Sequence, residues 1–188
     1  MTPFAEQSIA AFAGGVAARQ PAPGGGAVAA VIAGLAAALG AMACRYTTGK
    51  RYAEHHDSAI TLAQHLDHLQ QQCLDLADAD AAAYAQVQEL RAEKASASAI
   101  ASAEAAAMAI PLHVLEHCAK ACKDLQGFTA VCNPWLLADL RAALHLCAGA
   151  ADAAWEILLC GSPPEHLRQQ ATQWREQCRQ SSQALLSA

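Results

Sequence analysis

Aromatic side chains are scarce in this chain, with three Trp, three Tyr and three Phe among 188 residues. Runs of β-branched residues are nearly absent as well, so strands have little to be built from. Charge is thin, at 15% Asp, Glu, Lys and Arg, with a formal net charge of −5. No basic stripe is present to neutralise phosphates, which argues against a nucleic-acid partner. Eight cysteines occur but none as a Cys-x2-Cys pair. Their irregular scatter through helical segments fits buried, reduced thiols in a cytoplasmic protein better than a disulfide framework. The first residues carry Glu6 and Gly14-Gly15 and lack the basic region and cleavage pattern of a signal peptide.

What the chain has in quantity is alanine, 49 residues of it. Alanine is the best helix former, and small side chains let helix backbones approach closely. The expected fold is all-α: a single-domain antiparallel bundle of long helices over residues 1–188, large enough to bury about 70% of its unfolded surface. Helices are expected at 3–18, 26–46, 54–93, 94–124, 135–160 and 165–186. Pro111 predicts a kink in the fourth, and Gly127 and Asn133-Pro134 predict a loop after it.

Pro21-Ala22-Pro23-Gly24-Gly25-Gly26 leads directly into the second helix. Glycine reaches positive φ without penalty and lets a ligand approach bare amides, and a helix start offers free N–H groups. Gly24, Gly25 and Gly26 are therefore candidate ligand contacts; the plainer alternative is a turn. Residues 21–44 carry no charge, and 24 helical residues would span about 36 Å, enough for a bilayer. Their strong membrane formers, Val28, Val31, Ile32, Leu35 and Leu39, sum to only about −1.5 to −3 kcal/mol before the glycines and prolines are subtracted. A helix buried in protein, with no membrane partner, is the better expectation.

In the third helix Leu62, His65/Leu66, Leu69, Cys73, Leu76, Asp80 and Tyr84 recur at spacings of three and four, which puts Asp80 on the apolar face. A carboxylate there either pairs or does chemistry, because an unpaired buried charge is costly. Asp75 and Asp78 fall off that face and are expected in solvent. His113, His117, Cys118 and Cys122 offer potential metal ligands on one helix. They lack a partner motif at a standard distance, so no metal is expected.

The order Pro-Gly-Gly-Gly at 23–26, a small-residue helix with Met42 near its end, Thr47-Thr48-Gly49-Lys50 and Tyr52 resembles the cyclodeaminase/cyclohydrolase family of folate enzymes. Asp80-Ala81-Ala82-Ala83-Tyr84, Ile110-Pro111-Leu112, and Asn133-Pro134 followed by Asp139 continue the likeness in register. The resemblance implies an all-helical homodimer that binds a tetrahydrofolate derivative as substrate and needs no cofactor. It further implies one of two reactions, cyclisation of 5-formiminotetrahydrofolate with loss of ammonia or hydrolysis of 5,10-methenyltetrahydrofolate. On that reading Asp80 is the proton-transfer residue, with Gly24–Gly26, Thr47, Asn133 and Asp139 contacting substrate and Lys50 and Arg51 facing the glutamate carboxylates.

Four positions depart from the family pattern. Ala27 and Ala138 stand where serine is usual, and Glu156 and Cys160 where asparagine is usual. The segment after Tyr84 also lacks a Leu-Pro-Lys loop. These departures keep open a catalytically divergent ligand-binding or regulatory protein as the alternative.

Overall fold

The computed structural model describes residues 2–184, in which α1 (Ile9–Ala17), α2 (Gly25–Arg45), α3 (His56–Ala92), α4 (Ala97–Phe128), α5 (Leu137–Cys160) and α6 (Glu165–Gln183) are joined by 3₁₀ turns and short loops. No strand occurs among these residues. Residues 185 and 186, expected to end the last helix, lie outside the described range. The expected first helix is instead a 3₁₀ turn, Phe4–Glu6, and a separate α1 capped by Ser8, whose hydroxyl accepts from Ala11 N. The 3₁₀ turn is tied to α3, because Phe4 N donates to Asp78 Oδ1 at 2.9 Å. Asp78 is thus not merely solvated.

α2 is the central helix, packed chiefly by α3 and α5. Its inner faces are almost all Ala and Gly, and Ala27, Ala29, Ala30, Ala36, Ala41 and Ala43 have no exposed surface. Small residues are what allow two helices to close on it from different sides. The larger residues of α2 fall elsewhere. Val28, Val31, Ile32, Leu35, Leu39 and Met42 follow helical spacing along one outward stripe, half-buried except for Leu35, which is 58% exposed. By length and composition α2, α4 and the segment Pro134–Cys160 could each cross a membrane, although 61% of the α2 window is buried inside the fold.

Both neighbours run antiparallel to α2. Arg45 at its end pairs with Asp67 of α3, whereas Ala27 at its start meets Asp80 thirteen residues further along the same helix. Ile157, late in α5, lies against Gly25. α4 runs through Pro111 without interruption and takes in Gly127, so the loop begins only after Phe128. α6 is fixed across the far side by Arg175 and Arg179, which both hold Asp152 of α5, at 2.6 and 2.9 Å. Seven of the eight cysteines are buried and all are free. Burial pushes Cys44 and Cys73 up to about 12, so both stay protonated thiols.

Candidate functional site

The start of α2 has no side chain to cap it, because Gly24 occupies the N-cap. Asp80 supplies the missing acceptor from α3: its Oδ2 receives Ala27 N–H, at 3.0 Å. A Cβ on Gly26 would fall against the Asp80 carboxylate, nearer than real side chains come. Gly26 is therefore glycine so that α2 can reach this close to the acid. None of the three glycines adopts a positive φ; close approach, not the left-handed conformation, explains Gly26. Gly25 faces only the tip of Ile157 and Gly24 little at all. The Ala27 departure leaves this contact intact, since the backbone makes it.

Asp80 Oδ1 has no hydrogen-bond partner among the described residues, and Asp80 lines a cavity of about 740 Å³ between α3, α4, α5 and the start of α6. Burial pushes its pKa up, and the Ala27 N–H only partly offsets this. One oxygen is held and the other is free, with an affinity for protons above that of an ordinary carboxylate. This is the arrangement a proton-transfer group requires. Apolar walls come from Val87, Met108, Leu112 and Ile157, and polar groups from Tyr84, Gln88, Arg91 and Glu104. Cys160 also lines the cavity, its thiol donating to Glu156 O at 3.4 Å. The Glu156 carboxylate lies 3.9 Å from Arg175 Nη2.

The remaining candidates gather elsewhere. Thr47 is fully buried; its hydroxyl donates to Ala43 O at 2.8 Å and accepts Asn133 N–H at 3.0 Å. Asn133 Nδ2 donates to Tyr46 O and its Oδ1 accepts from Trp135 N. Both side chains thus join the end of α2 to the start of α5. Lys50 and Arg51 lie beyond the turn at Gly49 (φ 103°), with the Arg51 guanidinium 5.7 Å from the Tyr52 ring. Asp139 is in the first turn of α5. This group is separated from Ala27 and Asp80 by the length of α2, about 30 Å. Within one chain the candidate residues form two clusters rather than one site.

A second cavity, of about 480 Å³, is lined by His65, His68, His117, Lys120, Lys123 and Asp124. Among the described residues no group of three or more His, Cys, Asp or Glu side chains is placed to hold a metal ion. His113, His117, Cys118 and Cys122 are not brought together around one point. Burial holds His117 below the usual histidine range.

Residues 8–159 match the family model for formiminotransferase-cyclodeaminase. The formimidoyltransferase-cyclodeaminase of Mus musculus is 34% identical over 164 residues, 82% of this chain and 30% of that protein. The Rattus norvegicus protein of the same name is 43% identical over 81 residues, 43% of this chain and 15% of its own. The chain therefore spans less than a third of the length of these curated relatives. In fold it is similar to the crystal structure of formiminotetrahydrofolate cyclodeaminase from Thermotoga maritima, with a TM-score of 0.84 at 24% identity, covering 96% of this chain and 92% of that one. With the family model spanning most of the sequence, and the six helices closing in the same architecture, the chain belongs to the formiminotransferase-cyclodeaminase family.

Proposed function

We propose that the protein acts on a one-carbon unit carried between the two nitrogens of a tetrahydrofolate, as a methenyltetrahydrofolate cyclohydrolase or a formiminotetrahydrofolate cyclodeaminase, with Asp80 as the proton carrier. The observation that carries this reading is Asp80 itself, held at Oδ2 by α2, without a partner at Oδ1 among the described residues, and lining a large, mostly apolar cavity. In the hydrolytic reaction Oδ1 takes one proton from water as its oxygen bonds to the methenyl carbon and passes it to N5 as the N5–carbon bond breaks, while the remaining hydroxyl proton leaves to solvent as the formyl carbonyl forms. In the cyclisation it takes the N10 proton as N10 closes on the carbon of the protonated formimino group, then passes it to the amino group, which departs as ammonia. Both routes pass through a tetrahedral carbon, and one carboxylate of raised pKa serves each. Purified protein mixed with 5,10-methenyltetrahydrofolate should bleach its near-ultraviolet absorbance, and Asp80→Asn should not. Turnover of neither the methenyl nor the formimino compound by the wild-type protein overturns the enzyme reading.

The outward stripe of α2 supports a homodimer. A two-fold axis that pairs α2 antiparallel with the same helix of a second copy covers Val28, Val31, Leu35 and Met42. It also sets one copy's Asp80 beside the other's Thr47–Asn133 cluster, where Lys50, Arg51 and Asp139 could meet the same substrate. Light scattering should give twice the chain mass at micromolar concentration, and Leu35→Asp should halve it. A monomeric wild-type protein counts against the pairing. The capping bond to Asp80 and the changed side chains at Glu156 and Cys160 support the alternative of a divergent folate-binding protein. On that alternative, folate binds and is not turned over. The free thiols support a cytoplasmic setting.

A further inference from the structure

Asp80, Tyr84, Val87, Gln88 and Arg91 recur at i, i+4, i+7, i+8 and i+11 of α3, and all five line the large cavity. Eleven residues are close to three turns, so Asp80 and Arg91 project from one side of the helix, about 16 Å apart along its axis. Helical side chains lean toward the N-terminus, and the longer arginine leans further, which shortens the gap between the two functional groups. Apolar groups fill the stretch between them, Val87 from α3 and Met108 and Leu112 from α4. The cavity thus has an acid at one end, the Arg91–Glu104 ion pair at the other and an apolar floor between them.

Arg91 is held in place rather than loose. Its Nη2 donates to Glu104 Oε1 of α4 at 2.6 Å, and this is its one side-chain hydrogen bond among the described residues. The other guanidinium N–H groups remain free, and a guanidinium fork suits a carboxylate better than any other side chain does. Within one chain Lys50 and Arg51, the cations that the motif order suggests for this task, lie at the opposite end of α2, so only a second copy could bring such a pair to this cavity, and the Lys50→Gln/Arg51→Gln variant below tests that arrangement.

We propose that Arg91 is the residue that receives the substrate's terminal carboxylates, so that the cavity fixes a substrate direction with the reacting carbon at Asp80 and the acidic tail at Arg91. The proposal rests on the folate reading above, and it names the residue that would make the site select tail-bearing pterins. A tetrahydrofolate has the matching polarity: a reacting carbon, then one aminobenzoyl ring, then glutamyl carboxylates. Glu104 acts as a positioning residue that holds the guanidinium at this end of the cavity before substrate arrives.

The test compares two ligands by calorimetry, 5-formyltetrahydrofolate and 5-formyltetrahydropteroate, which lacks the glutamyl tail. Wild-type protein should bind the tailed compound about tenfold or more tightly, the scale of a charge-assisted hydrogen-bonded pair. Arg91→Gln should erase that preference, Arg91→Lys should restore part of it, and Lys94→Gln, one turn beyond, should leave it untouched. Circular dichroism of each variant verifies the fold. No preference in the wild-type protein overturns the proposal, and so does a preference that survives Arg91→Gln or vanishes in Lys50→Gln/Arg51→Gln instead. These outcomes are distinct from failure of the enzyme reading, which is judged by turnover and not by the ratio of affinities.

Discussion

The two ends of α2 each have a glycine nearby and a polar side chain from a distant segment bonded to the helix end, yet they use it differently. At the start, the reaching group is Asp80, which spends one oxygen on the helix and keeps the other free in a cavity. At the end, Thr47 and Asn133 spend their side-chain hydrogen-bonding capacity on neighbouring backbone, and Asn133 uses both its amide nitrogen and its oxygen there. A carboxylate with an unbonded oxygen beside an open cavity can do chemistry; side chains bonded to the backbone on both sides of a junction hold the fold. The contrast separates residues that a motif alone places on an equal footing.

The largest effect that would sharpen this contrast is on turnover. Asp80→Asn keeps size and the acceptor for Ala27 N–H but cannot titrate, so kcat should fall by about 10² or more while folate affinity stays within a few fold. Asn133→Ala should instead lower stability by about 1 kcal/mol, through the two exposed side-chain bonds to Tyr46 O and Trp135 N that it removes, and shift the thermal melt more than it shifts kcat. A collapse of kcat in Asn133→Ala at unchanged melting temperature would erase the distinction between the ends.

Next in size is Gly26→Ala, whose methyl group has no room beside the Asp80 carboxylate. Pushing α2 and α3 apart should cost about 1–3 kcal/mol. Gly24→Ala, with nothing nearer than Pro21 O at 3.9 Å, should melt close to the wild type. Equal melts for the two variants would mean that the close approach at Asp80 is not what the glycine serves.

The smallest effect is on pH dependence. Burial leaves folded Asp80 with a raised pKa, so its stabilising share is complete below the unfolded carboxylate value and is lost as pH rises through the folded one. Asp80→Asn cannot incur that loss, so it should match the wild type in acid and melt slightly higher than it at neutral pH. Should it melt lower there, the helix-end contact outweighs burial and Asp80 is chiefly a cap. In the active protein, turnover should climb with pH through an apparent pKa above the ordinary carboxylate range, a limb that Asp80→Asn lacks.

Much of this was legible in the chain. The helical spacing around Leu66, Leu69 and Cys73 marks the buried face of α3 correctly, and extending the same spacing past Tyr84 leads to Gln88 and Arg91. The division into two clusters was not read from the sequence, where the motif order placed all the candidates in one site, although helix length alone requires it. A helix of about twenty residues in an antiparallel bundle must hold Gly26 and Thr47 about 30 Å apart. Other features were not local enough to read. The outward stripe of α2 looks like core by composition, because only the packing of α3 and α5 reveals which of its faces they cover.

Composition and periodicity by themselves determined that this protein is helical, where its long helices run, and which face of α3 turns inward, because each depends on residues within a few turns of one another. The order of the motifs also determined its family. Only the tertiary structure decided that Gly26 exists to admit Asp80, that Asp80 holds Ala27 with one oxygen and keeps the other free, and that Arg91 rather than Lys50 shares its cavity. Those facts depend on contacts between residues dozens of positions apart, such as Ala27 and Asp80, whose meeting is set by how whole helices pack and not by any local spacing.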